Sequence, residues 1–218
     1  MAVILSLETA TRNCSVAVSK DGETLALREH AGEGYGHAET LHLFINEVLA
    51  QSNLSFKDLD AVAVSRGPGS YTGLRIGVSA AKGLCVALGL PLIAVDTLRI
   101  LAAKARIENG TIIPMIDARR MEVYCAAFDS NLDQVLDTQA RILSEEVFDD
   151  IPGDLFFVGD SNQKAQTVLT KARYNFLTDL IFPSAAEIGE LANKKFHATD
   201  FVDVAYFEPF YLKDFRIS

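Results

Sequence analysis

Three stretches of the chain carry residue types that could grip an anion. Two are short turns, Glu8-Thr9-Ala10-Thr11-Arg12-Asn13 and Asp117-Ala118-Arg119-Arg120-Met121. The third is the glycine-rich run Gly67-Pro68-Gly69-Ser70-Tyr71-Thr72-Gly73-Leu74-Arg75-Ile76-Gly77. A hairpin that holds phosphate needs glycine or small residues, so that backbone N–H groups can approach the oxygens. Neither turn contains glycine, and the second is crowded by two long side chains. Gly159-Asp160 offers one glycine where an adenosine-binding loop usually has two. The turns therefore read as ordinary hairpins with solvated arginines. The alternative is a residual anion or nucleotide site on Glu8, Thr9, Arg12, Asp117 and Arg119. The glycine run follows a buried strand and opens a helix, where free N–H groups can hold an anion. It lacks the lysine and spacing of a P-loop and the three-glycine dinucleotide fingerprint.

Acid–base and metal chemistry find little support. His37 and His42 stand about 140° apart around a helix and cannot easily share one ion. His30 and His197 are isolated, no serine sits in a nucleophile elbow, and no Cys–His arrangement suggests itself. Cys14, Cys85 and Cys125 are widely spaced among apolar neighbours and read as buried reduced thiols. No catalytic residue, metal site or cofactor is expected.

With 218 residues, 49 % of them hydrophobic, the chain can bury one large core or two small ones. Its 29 acidic residues against 20 Lys and Arg argue against autonomous nucleic-acid binding, which needs cations along the phosphates. The segment Met1–Ser6 has no basic lead-in, and the apolar stretch Gly83–Val95 is too short to span a bilayer. A cytoplasmic protein with no membrane association is expected.

Periodicity places strands at 3–9, 14–19 and 24–29, a helix at 37–51 after the glycine-rich link 32–36, a strand at 61–65, a helix at 71–88, a strand at 92–95 and a helix to about 106. The second half repeats the order. Strands fall at 112–117, 122–129 and 134–142, a short acidic helix opens at Ser144, and 155–158, 161–171 and 176–182 read as strand, helix and strand. Ser184 and Glu187 form a capping box for a last helix, 185–196. The fold class is α/β, with two lobes that each hold a mixed five-stranded sheet flanked by helices. This duplicated order resembles the actin, heat-shock chaperone and sugar-kinase (ASKHA) architecture, with lobes at 1–106 and 107–218 and a terminal segment able to fold back on the first lobe. A single doubly wound domain is the alternative.

The helix from Tyr71 is too apolar for packing on one sheet. Arg75, Ser79 and Lys82 form one narrow polar stripe, and the remaining apolar arc is about twice what one sheet face requires. Gly73 and Gly77, with Ala80, Ala81 and Leu84 following, read as a low ridge that a second helix could approach closely. The helix from His37 has a core stripe of Leu41, Phe44, Ile45, Val48 and Leu49, with Leu43 and Ala50 opposite. Such a pair invites helices from another molecule.

Several of these stretches are also distinctive as sequence. Ile4-Leu5-Ser6-Leu7-Glu8-Thr9-Ala10-Thr11, then Cys14–Val18, the run Gly67–Leu84, Asp117-Ala118-Arg119-Arg120-Met121-Glu122-Val123-Tyr124, and Glu208-Pro209-Phe210-Tyr211-Leu212 together resemble the TsaB (YeaZ) family over nearly the whole chain. That family usually carries aspartate where Glu8 stands. The resemblance implies a non-catalytic subunit of the machinery that makes N6-threonylcarbamoyladenosine next to the tRNA anticodon. In that machinery a paralogous TsaD-type subunit carries the metal and the transfer step, and a TsaE-type ATPase joins the pair. TsaD-like proteins have His-x-x-x-His where this chain has Thr97 and Leu101. The resemblance implies docking through the two first-lobe helices, with His37, Leu41, Leu43, Tyr71, Leu74, Arg75, Val78 and Lys82 at or beside the contact. Arg75 and Lys82 would pair with acids of the partner, tRNA would be reached only through the complex, and the lone chain would form a homodimer on the same surface. The competing reading is an enzyme, either a small actin-like ATPase or a glycoprotease-type metallopeptidase. It would show itself by tight ATP binding or a retained metal.

Overall fold

Alternating β-branched and small residues build the first sheet. The structure, a computed structural model, describes residues 1–32 and 36–213. Of the glycine-rich link, residues 33–35 therefore lie outside the described residues. β1 (Val3–Glu8) is central, with β2 (Asn13–Lys20) and β3 (Glu23–Ala31) antiparallel on one side, and β4 (Ala61–Ser65) and β5 (Leu92–Val95) parallel on the other. Register puts Leu5 beside Val18 and Val62, and Leu7 beside Val16 and Val64, all on one face. That face packs into one cluster with α1 (His37–Gln51) and α2 (Tyr71–Leu88) through Leu41, Ile45, Val48, Val78, Ala81 and Cys85. The opposite face is small: Ser6 pairs with Ala17 and Ala63, and Ile4 with Ser19 and Ala61.

Small residues let α5 (Ala185–His197) lie close on that second face. A Cβ on Gly189 would stand 2.9 Å from the Ser19 side chain. The Ser184 hydroxyl accepts from the Ala186 N–H and donates to Glu29 Oε2 at 2.7 Å, and the Ala185 N–H donates to Ser15 Oγ at 2.9 Å. These bonds fix the helix start to β2 and β3. The sequence reading divides the chain after residue 106, whereas its compact units are Met1–Ile100 with the segment from Ser184 onward, and Leu101–Pro183. The chain passes from one to the other within α3 (Thr97–Ala103), which ends before the expected 106.

The second unit repeats the strand order. β6 (Thr111–Asp117) is central, β7 (Glu122–Phe128) and β8 (Gln134–Ile142) lie antiparallel on one side, and β9 (Leu155–Val158) and β10 (Tyr174–Phe176) parallel on the other. Three expectations change. Ser144 opens a series of turns in place of a helix: Arg141 donates to the Val147 carbonyl, and Arg173 to those of Phe148 and Ile151, acceptors that a helix would use itself. The helix expected at 161–171 is one turn, α4 (Asn162–Ala165). The strand expected at 176–182 starts at Tyr174, where Tyr174 and Phe176 bracket the Phe157 ring with centroids 5.3 and 4.9 Å away. Among the described residues no helix is long and apolar enough to cross a membrane.

Candidate partner-docking surface

α2 has a well-marked start and stop. The Ser70 hydroxyl accepts from the Gly73 N–H at 3.3 Å, and Gly89, at φ 69°, lets the chain leave the helix in the left-handed region. Its inner side is closer to the sheet than an ordinary helix could come. The Thr9 hydroxyl donates to the Gly73 carbonyl at 2.7 Å, and the Ser70 N–H donates to the Ala10 carbonyl at 2.7 Å. A Cβ on Gly73 would meet the Thr9 carbonyl oxygen, and one on Gly77 would meet Thr9 Oγ1 at 2.3 Å. The glycine part of the ridge expected to receive a foreign helix is therefore spent inside the chain, against the β1–β2 turn. Leu41, Leu74 and Val78 are likewise 0, 1 and 4 % exposed, and serve the core rather than an outer contact.

The outer side is different. A shallow groove of about 380 Å³ runs between α1 and α2, lined by His42, Ile76, Ser79, Ala80, Gly83 and Leu84. On α1, Leu43, next in sequence to His42, keeps 55 % of its surface exposed, and Val86 further along α2 keeps 76 %. Nothing lies within 4 Å of a Cβ built on Gly83. Sequence projection found the excess apolar arc. It could not say which part of that arc the chain itself would use.

The polar stripe of α2 is engaged by the chain's own C-terminal segment. Lys82 Nζ donates to the carbonyls of Ala205 and Phe207 at 3.2 and 3.0 Å, and Arg75 Nε donates to the Tyr211 hydroxyl at 3.3 Å. The Tyr71 and Tyr211 rings stand 4.7 Å apart, and the Arg75 guanidinium lies 4.2 Å from the Tyr71 ring centre. Upstream of the helix, the Phe210 N–H donates to the Arg66 carbonyl at 2.7 Å. Arg75, Val78, Ser79 and Lys82 line a second cavity, of about 430 Å³, with residues 207–209 and Tyr211. Arg75 and Lys82, expected to pair with a partner's acids, are thus already bonded within the chain, and Arg75 stays exposed. The terminal segment, expected to be able to fold back on the first lobe, lies along α2, a partner that the sequence did not single out. His37 Nε2 donates to the Thr11 carbonyl at 2.8 Å, tying the start of α1 to the β1–β2 turn.

The residues of the expected anion site fall into two separate units. In the first, Glu8 is fully buried and accepts from the Ala10 N–H at 2.5 Å, Thr9 is committed to Gly73, and Arg12 is exposed. In the second, the Asp117 N–H donates to Asp160 Oδ1 at 2.8 Å, and its carboxylate accepts from the Arg119 N–H at 2.9 Å and from Lys164. Lys164 also donates to the carbonyls of Glu122 and Arg120, at 2.6 and 2.9 Å. Sequence reasoning missed Lys164, because only the fold brings it under this turn. Burial pushes the thiols of Cys14 and Cys85 up to about 11 and that of Cys125 to about 12, so none is a ready nucleophile. The Thr97 hydroxyl accepts from the Gly67 N–H at 3.0 Å, and Leu101 is fully buried. Among the described residues no group of three or more His, Cys, Asp or Glu could hold a metal.

The sequence matches the family described as TsaD, tRNA N6-adenosine threonylcarbamoyltransferase, over residues 34–217. It is 34 % identical, over 97 % of this chain and 94 % of the relative, to the Escherichia coli (strain K12) protein named tRNA threonylcarbamoyladenosine biosynthesis protein TsaB. The solved structure of YeaZ from Pseudomonas aeruginosa superposes with a TM-score of 0.85 at 26 % identity, covering 97 % of this chain and 100 % of that one. Component A of the Acidaminococcus fermentans (R)-2-hydroxyglutaryl-CoA dehydratase superposes at 0.54 and 11 % identity over 89 % of this chain, a likeness of fold alone. The paired five-stranded sheets are those of the duplicated ASKHA fold.

Proposed function

The chain belongs to the TsaB (YeaZ) family, and from that premise we propose that it is a catalytically silent, cytoplasmic subunit of the tRNA threonylcarbamoyladenosine complex. It docks on a TsaD-type catalytic paralogue through the groove between α1 and α2, holds that subunit in a competent state, and is joined by a TsaE-type ATPase. Alone, it buries the same groove as a homodimer, since equivalent helix pairs pack well about a two-fold axis. The groove carries this reading: Ile76, Ala80 and Leu84 border it, and on α1 the neighbouring residue of His42, Leu43, is more than half exposed. Each large apolar side chain covered by a partner contributes about 1.5–3 kcal/mol if it starts fully exposed, and proportionately less here. The silent role draws support from Thr97 and Leu101, the positions where the resemblance leads one to look for metal-binding histidines. One is hydrogen-bonded to backbone and the other is core.

Gly83→Arg tests the docking. Its Cβ meets no neighbour, and arginine favours a helix interior over glycine by up to about 1 kcal/mol. The variant should melt no lower than the natural chain, yet fail to co-elute with the organism's own TsaD-type and TsaE-type subunits and fail to support tRNA threonylcarbamoylation. A Gly83→Arg chain that still co-elutes and supports modification would refute this surface.

A further inference from the structure

The turn between β6 and β7 holds two consecutive arginines in a backbone conformation that arginine seldom adopts. Arg119 has φ 71° and Arg120 φ 52°, both left-handed. The β2–β3 hairpin meets the same demand with Asp21-Gly22, at φ 52° and 90°, a pair suited to it. Non-glycine residues held there cost about 1–3 kcal/mol each and persist where surrounding structure enforces them. Here the enforcement is Lys164, which bonds the carbonyls of Arg120 and Glu122, together with Asp117, which bonds the Arg119 N–H.

The tip of the turn presents donors, while the half-exposed Asp117 carboxylate at its base is paired with Lys164. Both arginines are exposed, and neither guanidinium has a partner among the described residues, although the chain carries 29 acidic side chains against 20 Lys and Arg. Arg28, Arg66, Arg141 and Arg173, by contrast, each pair with a carboxylate. The backbone N–H groups of Arg120 and Met121 also donate to nothing among the described residues. Guanidinium forks match phosphate oxygens in bidentate fashion. The two side chains start from Cα atoms about 3.8 Å apart and are long enough for each guanidinium to reach a different phosphate of one strand.

We propose that the Arg119–Arg120 turn is a contact for consecutive phosphodiesters of the tRNA substrate, made once the complex has assembled. The inference rests on the functional reading above. The chain's net charge of −9 keeps this contact from binding RNA on its own, so it supplies register and orientation.

The test uses the assembled complex of this chain with the TsaD-type and TsaE-type subunits. The probe is a fluorescent anticodon stem-loop from a tRNA reading codons that begin with adenine, titrated across a salt series. Arg119→Asn/Arg120→Gly removes both cations and relaxes the turn, so lost binding cannot be blamed on a failed fold. The double variant should assemble normally and bind the stem-loop about tenfold more weakly near 0.1 M salt. The slope of log K against log salt should fall by about 1.4 to 1.8. Arg119→Lys/Arg120→Lys should keep most of the salt slope. Unchanged stem-loop binding overturns the proposal and leaves the docking reading intact. So does a loss confined to assembly with the protein subunits, or one confined to ATP binding. If the natural chain fails to assemble at all, it is the docking reading that has failed.

Discussion

Each sheet has a central strand whose first hairpin ends in an arginine-bearing turn, and the two turns have opposite surroundings. In the first unit the turn after β1 is buried: Thr9, Ala10 and Thr11 are 0, 1 and 7 % exposed. Gly69, Gly73 and Gly77 bring the backbone of α2 and its N-terminal approach against it. Its groups are consumed by the chain, with Glu8 on the Ala10 N–H, Thr9 on Gly73 and His37 on the Thr11 carbonyl. In the second unit the turn after β6 is exposed and strained, with Lys164 and Asp117 bonding its backbone from beneath and the Leu143 N–H donating to the Met121 carbonyl at 2.7 Å. A shared topology therefore leaves one turn as an internal packing surface and the other as an outward display of donors. The difference arises from α2, since the corresponding helix of the second unit, α4, has four residues.

The largest expected effect comes from disturbing the buried turn. Gly77→Ala places a Cβ 2.3 Å from Thr9 Oγ1, so the threonine must swing away and surrender its bond to Gly73. Overpacking costs about 1–3 kcal/mol and the lost bond about 1, against roughly 1 kcal/mol of helix propensity gained. A net loss of about 2 kcal/mol should appear in urea unfolding. Adding Thr9→Ala should return about 1 kcal/mol or more of the steric part, measured as a double-mutant coupling. Full stability in Gly77→Ala would mean that the close approach is not needed. Gly83, six residues along the same helix, accepts a side chain freely. The contrast separates the two sides of α2.

The same substitution logic reverses sign at the exposed turn. Arg119→Asn/Arg120→Gly replaces two strained residues with ones that tolerate the left-handed region, so the chain should gain about 1 kcal/mol or more once the glycine's added backbone entropy of about 0.5–1 kcal/mol is set against the relieved strain. Urea unfolding compared with the natural chain reads this directly, and a loss would show that the arginines support the turn instead of being held by it.

How much of this was legible in the sequence follows from the range of each interaction. The strands around Leu5, Val16 and Val62, the Asp21-Gly22 turn and the ends of α2 rest on neighbours and periodicity, and were read correctly. The glycine ridge was seen but assigned to the wrong side of the contact, because Thr9 lies 64 residues from Gly73. Lys82 and Arg75 were expected to meet a partner's acids, because the acceptors they find within the chain stand more than 120 residues away in the C-terminal segment. The helix expected at Ser144 yields to Arg141 and Arg173, which take its carbonyls. The left-handed arginines left no local signal, since nothing in their residue type announces that conformation.

The smallest predicted effect concerns the carboxylate beneath the exposed turn. Burial, with Asp117 nearby, holds the Asp160 carboxyl above its usual 3.8, although the Asp117 N–H bonds to it. The folded chain then binds this proton more tightly than the unfolded chain does. Its contribution to stability is greatest in acid and declines as pH rises through 3.8 and past the folded value. Asp160→Asn keeps an acceptor for the Asp117 N–H and removes the titration. Relative to the natural chain, its melting temperature should rise steadily as pH climbs from about 3.5 towards neutrality, with most of the change complete once Asp160 is ionised in both states. A gap that stays constant over that range, or narrows, would mean that Asp160 is ionised in the folded protein as easily as in water, and that the platform under the arginine turn is wetter than the structure describes.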